Sequence, residues 1–377
     1  MSVWALALLG ACEVVYTTDC LPPPPGQPGC TDPLDTGVDS ASSTTGDSDS
    51  SPGTGTSSSD PDTGWPAGEW VAALQWKGLV FDTIQDAIVD ADDGDTVLVS
   101  PGTHLERIDF HGKALHVRST HGATATILEG GRGGSVVSIR GMEPATAVLE
   151  GFTITGGLGY EDHGGGIFVE NADAVIKHNV ITGNEAGIAG GIYFRHGHAV
   201  AHNNLVVDNL ANQGGGAVVC TNCKGGFRYN TLVYNQSAQG PAGEWFYEPQ
   251  GDLVGNLILQ LDDETHAFRF MEALGYTFDT DYNLLWPEVA WVPQGGEDWP
   301  QGTGLVYQEP RFEDLAAGDL RLANGSPGID QGPADELDAD GSRADLGAFG
   351  GPDGDWSPDA PNHPHRANPW DTGGSTE

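Results

Sequence analysis

Three cations, Lys177, His202 and Arg228, recur at equivalent positions of a repeating segment in a chain that is otherwise short of positive charge. Stacked on one face, they would grip the carboxylates of an anionic glycan. Beside a proton acceptor they would also stabilise the negative charge that a lyase creates next to a uronate carboxylate. Arg195 is a further outward candidate in a separate register, and Tyr193 with Phe168 offers rings against which a sugar could stack if they lie on a neighbouring face. A glycoside hydrolase would instead need two or three aspartates close together, and no such group stands out in the central repeats. The plain alternative is a solvated strand face that happens to be basic.

Other residues invite metal chemistry. His196-Gly197-His198 falls in a turn, with His178 and His202 close in the repeat, and could hold a metal weakly. No carboxylate stands at a convincing partner spacing, so a solvated turn is the simpler reading. Asp338-Ala339-Asp340-Gly341-Ser342, followed by Asp345, starts like a calcium loop but lacks the closing glutamate of an EF-hand. It reads first as a turn, with Ca2+ at Asp338, Asp340 and Asp345 as the weaker alternative and no other cofactor expected. Cys220 and Cys223 form a single CxxC without zinc-like partners, which suggests a structural cystine or two packed thiols. Cys20 and Cys30 flank a proline run and could close a disulfide loop in an oxidising compartment.

Charge narrows the partners. Lysine and arginine total 15 against 54 acidic residues, a formal net charge of -39. Such a surface repels nucleic acid and anionic membrane, because it has few cations to displace counterions. The 56 glycines and 24 prolines argue against one compact globule along the whole length.

The elements that would position these side chains form a repeat. Gly165-Gly166-Ile167-Phe168-Val169, Gly190-Gly191-Ile192-Tyr193-Phe194 and Gly215-Gly216-Ala217-Val218-Val219 start 25 residues apart. Asn179, Asn204, Asn230, Asn256 and Asn283 follow at intervals of 25, 26, 26 and 27, each before an apolar strand. Asn184, Asn209 and Asn235 keep step with them. Segments of four to six residues are too short for helices, and many are β-branched. Glycine and asparagine mark corners because they tolerate left-handed backbone. Coils of about 25 residues, stacked about 4.8 Å apart, give three short strands and three turns. Equivalent asparagines then stack as a hydrogen-bonded ladder. Alternation turns Ile167, Val169, Ile192, Phe194, Ala217 and Val219 inward. It turns Phe168, Tyr193 and Val218 outward in one column, and Glu170, Arg195 and Cys220 in the next.

Before the repeat, Asp82-Thr83-Ile84-Gln85 reads as a helix start, with Ile84, Ala87, Ile88 and Ala91 on one face. Such a helix would cover the open N-terminal end of the coil. The stretches Phe81-Asp82-Thr83-Ile84-Gln85-Asp86-Ala87-Ile88 and Gly94-Asp95-Thr96-Val97-Leu98-Val99-Ser100-Pro101-Gly102-Thr103 resemble the opening of pectin-lyase-like β-helix proteins. Pro310-Arg311-Phe312, Asp319-Leu320-Arg321-Leu322, Gly325-Ser326-Pro327-Gly328-Ile329-Asp330 and Asp345-Leu346-Gly347-Ala348-Phe349-Gly350 resemble the terminal module called choice-of-anchor Q. These resemblances imply an all-β, right-handed parallel β-helix with a short capping α-helix, and no particular activity.

At the start, Leu9-Gly10-Ala11-Cys12 resembles a bacterial lipobox, which implies cleavage before Cys12 and lipidation of its thiol. No Lys or Arg precedes the apolar run, a departure from that pattern. The expected organisation is a leader over 1–12, a disordered Pro/Ser/Thr/Asp linker over 13–67, and the β-helix over 68–300. A closing module over 301–351 and a disordered tail over 352–377 complete it. The expected function is a lipid-anchored protein at the bacterial outer membrane or cell surface, or a secreted one. It would act as a monomer, binding polysaccharide or surface glycan or serving adhesion or structure, without catalysis. The alternative is a polysaccharide lyase or glycoside hydrolase acting on an acidic glycan.

Overall fold

The computed structural model describes residues 70–238, 243–246, 251–260, 268–271, 279–287, 291–293 and 302–356. The leader with Cys12, the pair Cys20 and Cys30, and the linker to residue 69 lie outside the described residues.

The chain winds into a right-handed parallel β-helix with three long sheets. Sheet one runs through Thr96–Val99, His116–Ser119, Val148–Glu150, Val175–Lys177, Val200–His202, Phe227–Arg228 and Leu253–Val254. Sheet two runs from Gly102–His104 through Val180–Thr182, Leu205–Val207, Thr231–Val233 and Leu257–Leu259 to Leu284–Trp286. Sheet three includes Val137–Ile139, Ile167–Glu170, Ile192–Arg195 and Val218–Thr221. One residue of each strand centre points to the axis, so Leu149, Ile176, Ala201 and Phe227 meet Ile154, Ile181, Val206 and Leu232 in one continuous core.

The N-terminal end carries strands β1 (Ala72–Leu74), β2 (Leu79–Phe81) and β3 (Thr96–Val99), with helix α1 (Ile84–Asp90) between the last two. The β1–β2 hairpin, paired antiparallel to β3, extends sheet one and was not foreseen in the sequence. Thr83 Oγ1 caps α1 by accepting the Asp86 N–H at 3.0 Å. Its remaining first-turn donors, Ile84 N–H and Gln85 N–H, are accepted by Glu106 from the next coil. Lys113 Nζ donates to the carbonyls of Ile88, Val89 and Ala91 at the helix end, where a cation also opposes the helix dipole. Ile84, Ala87 and Ile88 cover the core.

Asparagine builds the corner between sheets one and two. Each amide nitrogen donates to the next amide oxygen along the axis, at 3.1 Å for Asn179 to Asn204 and 3.0 Å for Asn204 to Asn230. The chain of bonds continues at 3.1 Å to Asn256 and 3.0 Å to Asn283. Each also donates to carbonyls of its own and the preceding coil, so every buried amide is satisfied. The residue before each ladder asparagine is left-handed: His178, Asn203, Tyr229 and Tyr282 have φ of 56°, 52°, 49° and 54°. This turns their side chains out of the corner, where they become the docking edge for the C-terminal residues.

One register differs from expectation. Ile192 pairs with Val218, Tyr193 with Val219 and Phe194 with Cys220. A bulge between the flanking segments Glu185–Ile188 and Leu210–Gly214 inserts one residue. A one-residue slip exchanges the two faces of a strand. Val218 and Cys220, expected outside, therefore lie in the core, and Val219 joins the outer column. Cys220 is disulfide-bonded to Cys223 across the turn, with a Cα–Cα distance of 5.6 Å.

Residues 302–356 continue the last coil, Val306 bridging to Leu284, and then fold back along the flank. Leu320 and Ala348 pack on Leu205, Val233 and Leu259, covering the apolar outer face of sheet two. Residues 352–356, expected in a dangling tail, are docked at the corner.

Candidate functional site

The cations of the sequence do form a column. Lys177, His202 and Arg228 pair in register on adjacent strands of sheet one, and the column extends back through Glu150 to Arg118. Glu150 was missed because its coil carries Gly151-Phe152 where later coils carry a corner residue and asparagine. It is buried, with Oε2 2.7 Å from His116 Nε2 and Oε1 3.2 Å from His178 Nδ1. Burial alone would raise this carboxyl, but the two histidine contacts and Lys177 outweigh it and hold it well below the usual carboxylate range. Burial pulls the Arg118 guanidinium down, opposed by Glu150.

Two of these outward residues, Arg228 and His202, are contacted by the chain's own carboxylates. Arg228 Nη2 donates to Glu336 Oε1 at 3.2 Å, and Tyr229 Oη donates to Glu336 Oε2 at 2.5 Å. Burial and that neighbouring carboxylate push the Tyr229 hydroxyl upward. His202 Nδ1 stands 3.7 Å from the Asp353 carboxylate, and His178 Nε2 is 2.9 Å from the Asp353 carbonyl. Burial lowers the His202 imidazole against the raising influence of Asn203 and Asp353. Asn203 Nδ2 donates to the carbonyls of Ala348 and Gly350, and Trp356 stacks on His178 at 5.2 Å. The C-terminal residues thus occupy this face.

The proposed stacking platform is also closed. Phe168 and Tyr193 stack at 5.5 Å, but Tyr160, His163 and Ala189 cover them, leaving Tyr193 6% and Phe168 3% exposed. Arg195 is exposed and pairs with Glu170 at 3.2 Å.

Asp338 accepts the N–H groups of Asp345 and Gly351. Asp340 accepts Ser342 N–H and Oγ–H, and Asp345 accepts Asp330 N–H. Both Asp338 oxygens, and one oxygen each of Asp340 and Asp345, thus accept turn hydrogen bonds. Burial, with Asp345 nearby, pushes the Asp338 carboxyl up to about 6. Among the described residues no group of three or more His, Cys, Asp or Glu is arranged to hold a metal.

A shallow depression, largely open to solvent, lies on the stacked turns that leave sheet three. A cleft of about 580 Å³ is lined by Arg140, Met142, Asn171, Asp173 and His198. Asp173 Oδ1 accepts the His198 N–H at 2.9 Å and lies 3.0 Å from His198 Nδ1. Arg140 is held by Asp109 at 3.2 Å and lies 4.2 Å over the ring of Tyr160, while its Nε is buried without a partner. Met142, at the lip, is 79% exposed. The sequence reading singled out only His198 of this set, since its lining residues come from three successive coils.

Fold and site together define a right-handed parallel β-helix with a module docked on its flank. No protein-family model and no curated protein matches the chain. Among solved structures it is similar to a pectin methylesterase mutant in complex with a hexasaccharide, at 14% identity and a TM-score of 0.30, over 55% of this chain and 67% of that chain. The fold class rests on the strand pairing of the chain itself.

Proposed function

We infer that the protein is an exported, lipid-anchored β-helix that binds carbohydrate in the turn cleft without cleaving it. The observation that carries this reading is the cleft itself. Arg140, Asn171, Asp173 and His198 present donors and acceptors on a rigid stack of coils, beside the exposed Met142. Such preorganised planar polar groups suit the hydroxyls of a sugar chain. Asp173 is its lining carboxylate, whereas hydrolysis uses two across the scissile bond. The leader ending in Cys12 and the long polar linker support export and a tether. The module resembling choice-of-anchor Q is consistent with a surface protein.

One arrangement favours a second reading. His198, oriented by Asp173 and sharing a cleft with Arg140, is a base beside a cation, the pair a polysaccharide lyase needs. Binding of the full chain to an array of neutral and acidic oligosaccharides tests both. The binding reading expects retention on the array, lost in Arg140→Ala and Asp173→Ala, with no product. Absence of binding sinks it. An absorbance rise from unsaturated uronates, abolished in His198→Gln, replaces it with the lyase. Membrane retention that survives Cys12→Ser removes the anchor.

A further inference from the structure

The buried ring of His178 stands between two acceptors. Nδ1 lies 3.2 Å from Glu150 Oε1, and Nε2 lies 2.9 Å from the Asp353 carbonyl oxygen. A neutral imidazole has one N–H and one bare lone pair, so it can serve only one of them. Its other nitrogen would meet an oxygen lone pair at hydrogen-bond distance, in a place where stranded polar groups are costly. One further proton on the Glu150–His178 pair removes the conflict. It belongs to the imidazole, because Glu150 also lies 2.7 Å from His116 Nε2 and its carboxyl is held well below the usual carboxylate range. Trp356 stacks on the same ring at 5.2 Å, and an indole face favours a cation. The neighbouring His202 has no such conflict. Its Nδ1 lies 2.9 Å from Asn203 Oδ1, and that amide is oriented by its own donations to the Ala348 and Gly350 carbonyls. A single N–H satisfies it, and a second cation 6.4 Å from His178 would be repelled. The other charged groups near His178 are Arg118 and His116 behind Glu150, Lys177 beside it in the chain, and Asp353 and Asp355 on the C-terminal segment.

We infer that His178 is held as an imidazolium while residues 353–356 are docked, with His202 neutral beside it, and that it forms a proton-linked joint between the coil and the C-terminal segment. Docking at this point takes up a proton. The attachment is therefore firm at low pH and weakens as pH rises and the ring loses its second N–H. Gly351 is anchored separately, through its N–H to Asp338, so the response is confined to the residues beyond it. The joint is independent of the turn cleft.

The test joins two readings on the full chain between about pH 5.5 and 8.5, either side of the ordinary imidazole value of about 6.5. Ring-nitrogen NMR of histidine-labelled protein counts the protons on His178, assigned by the signal missing in His178→Asn. Asparagine already occupies the equivalent left-handed corner at Asn203, so this variant suits the backbone. Amide exchange, corrected for its intrinsic pH dependence, reads the protection of residues 353–356. Two ring N–H groups should be present wherever those residues are protected, and the protection should fall about tenfold across the range. In His178→Asn it should no longer depend on pH, whereas His202→Gln and Asp338→Asn should keep the dependence. A singly protonated His178 in the docked chain, protection independent of pH in the parent, or a dependence that survives His178→Asn would each overturn the proposal.

Discussion

Arg228 and Glu336 meet at 3.2 Å across 108 residues of chain, and Tyr229 shares the same carboxylate from the neighbouring corner position. The cation that the sequence offers to a ligand is thereby spent on holding the module to the coil. The pair is half-buried, so its removal falls between the small effect of a surface bridge and the larger one of a buried bridge. Glu336→Ala should cost about 1–3 kcal/mol, because it leaves the buried Tyr229 and the half-buried Arg228 without this acceptor. Urea unfolding measures this, and a double-mutant cycle with Arg228→Ala should show coupling. Additive losses would mean that the module is held by apolar contact alone.

The ladder should be the most sensitive polar element. Asn204→Ala removes the acceptor of Asn179 and the donor to the Ile176 and His202 carbonyls. With each stranded buried group costing about 1–3 kcal/mol, the loss should exceed about 3 kcal/mol. Asn212→Ala, at an exposed position whose contact to Glu185 is 3.5 Å, should change stability by less than about 0.5 kcal/mol. Thermal melts of the two variants side by side distinguish a ladder from a mere row of asparagines.

Acid should act through Glu150 and Asp338 in opposite senses. Glu150 is depressed when folded, so its stabilisation is complete above its ordinary value of 4.5 and is lost as pH falls below that. Asp338 is raised to about 6, so its ionised form costs stability at neutral pH, and that cost is relieved between pH 6 and its ordinary value of 3.8. Stability should hold or rise slightly toward pH 5 and fall below pH 4. Glu150→Gln should flatten the acid limb, and Asp338→Asn should flatten the region above it. An unchanged acid limb in Glu150→Gln would place acid sensitivity elsewhere.

The Cys220–Cys223 bond closes a very short loop inside the core. On chain entropy alone such a loop is worth about 2 kcal/mol. Reduction should lower the melting temperature by a corresponding few degrees without unwinding the coils, since Cys220 keeps its apolar position. Circular dichroism with and without reductant checks both parts.

Much of the fold is legible in residue types because the solenoid is a local, periodic object. Asn179 to Asn283 mark one corner of every coil, and the alternation of Ile167, Phe168 and Val169 marks one face. Thr83 and the apolar positions of α1 mark the cap. Each signal repeats or closes within about one coil, so a short stretch of sequence contains both partners of the interaction.

What the sequence by itself determined is therefore the coil: its length, its asparagine corners, its capping helix and the column Lys177, His202, Arg228. Only the tertiary structure decided which surfaces remain outside. The bulge before Gly215 moved Cys220 and Val218 inward, because one inserted residue reverses every side chain after it. The segment around Tyr160 buried Tyr193, and Glu336 and Asp353 reached Arg228 and His202 from more than 100 residues away. Those contacts depend on how a non-repeating segment folds back over a repeating one. Neither partner carries a pattern that announces the other, so these contacts are not legible in the residues that make them.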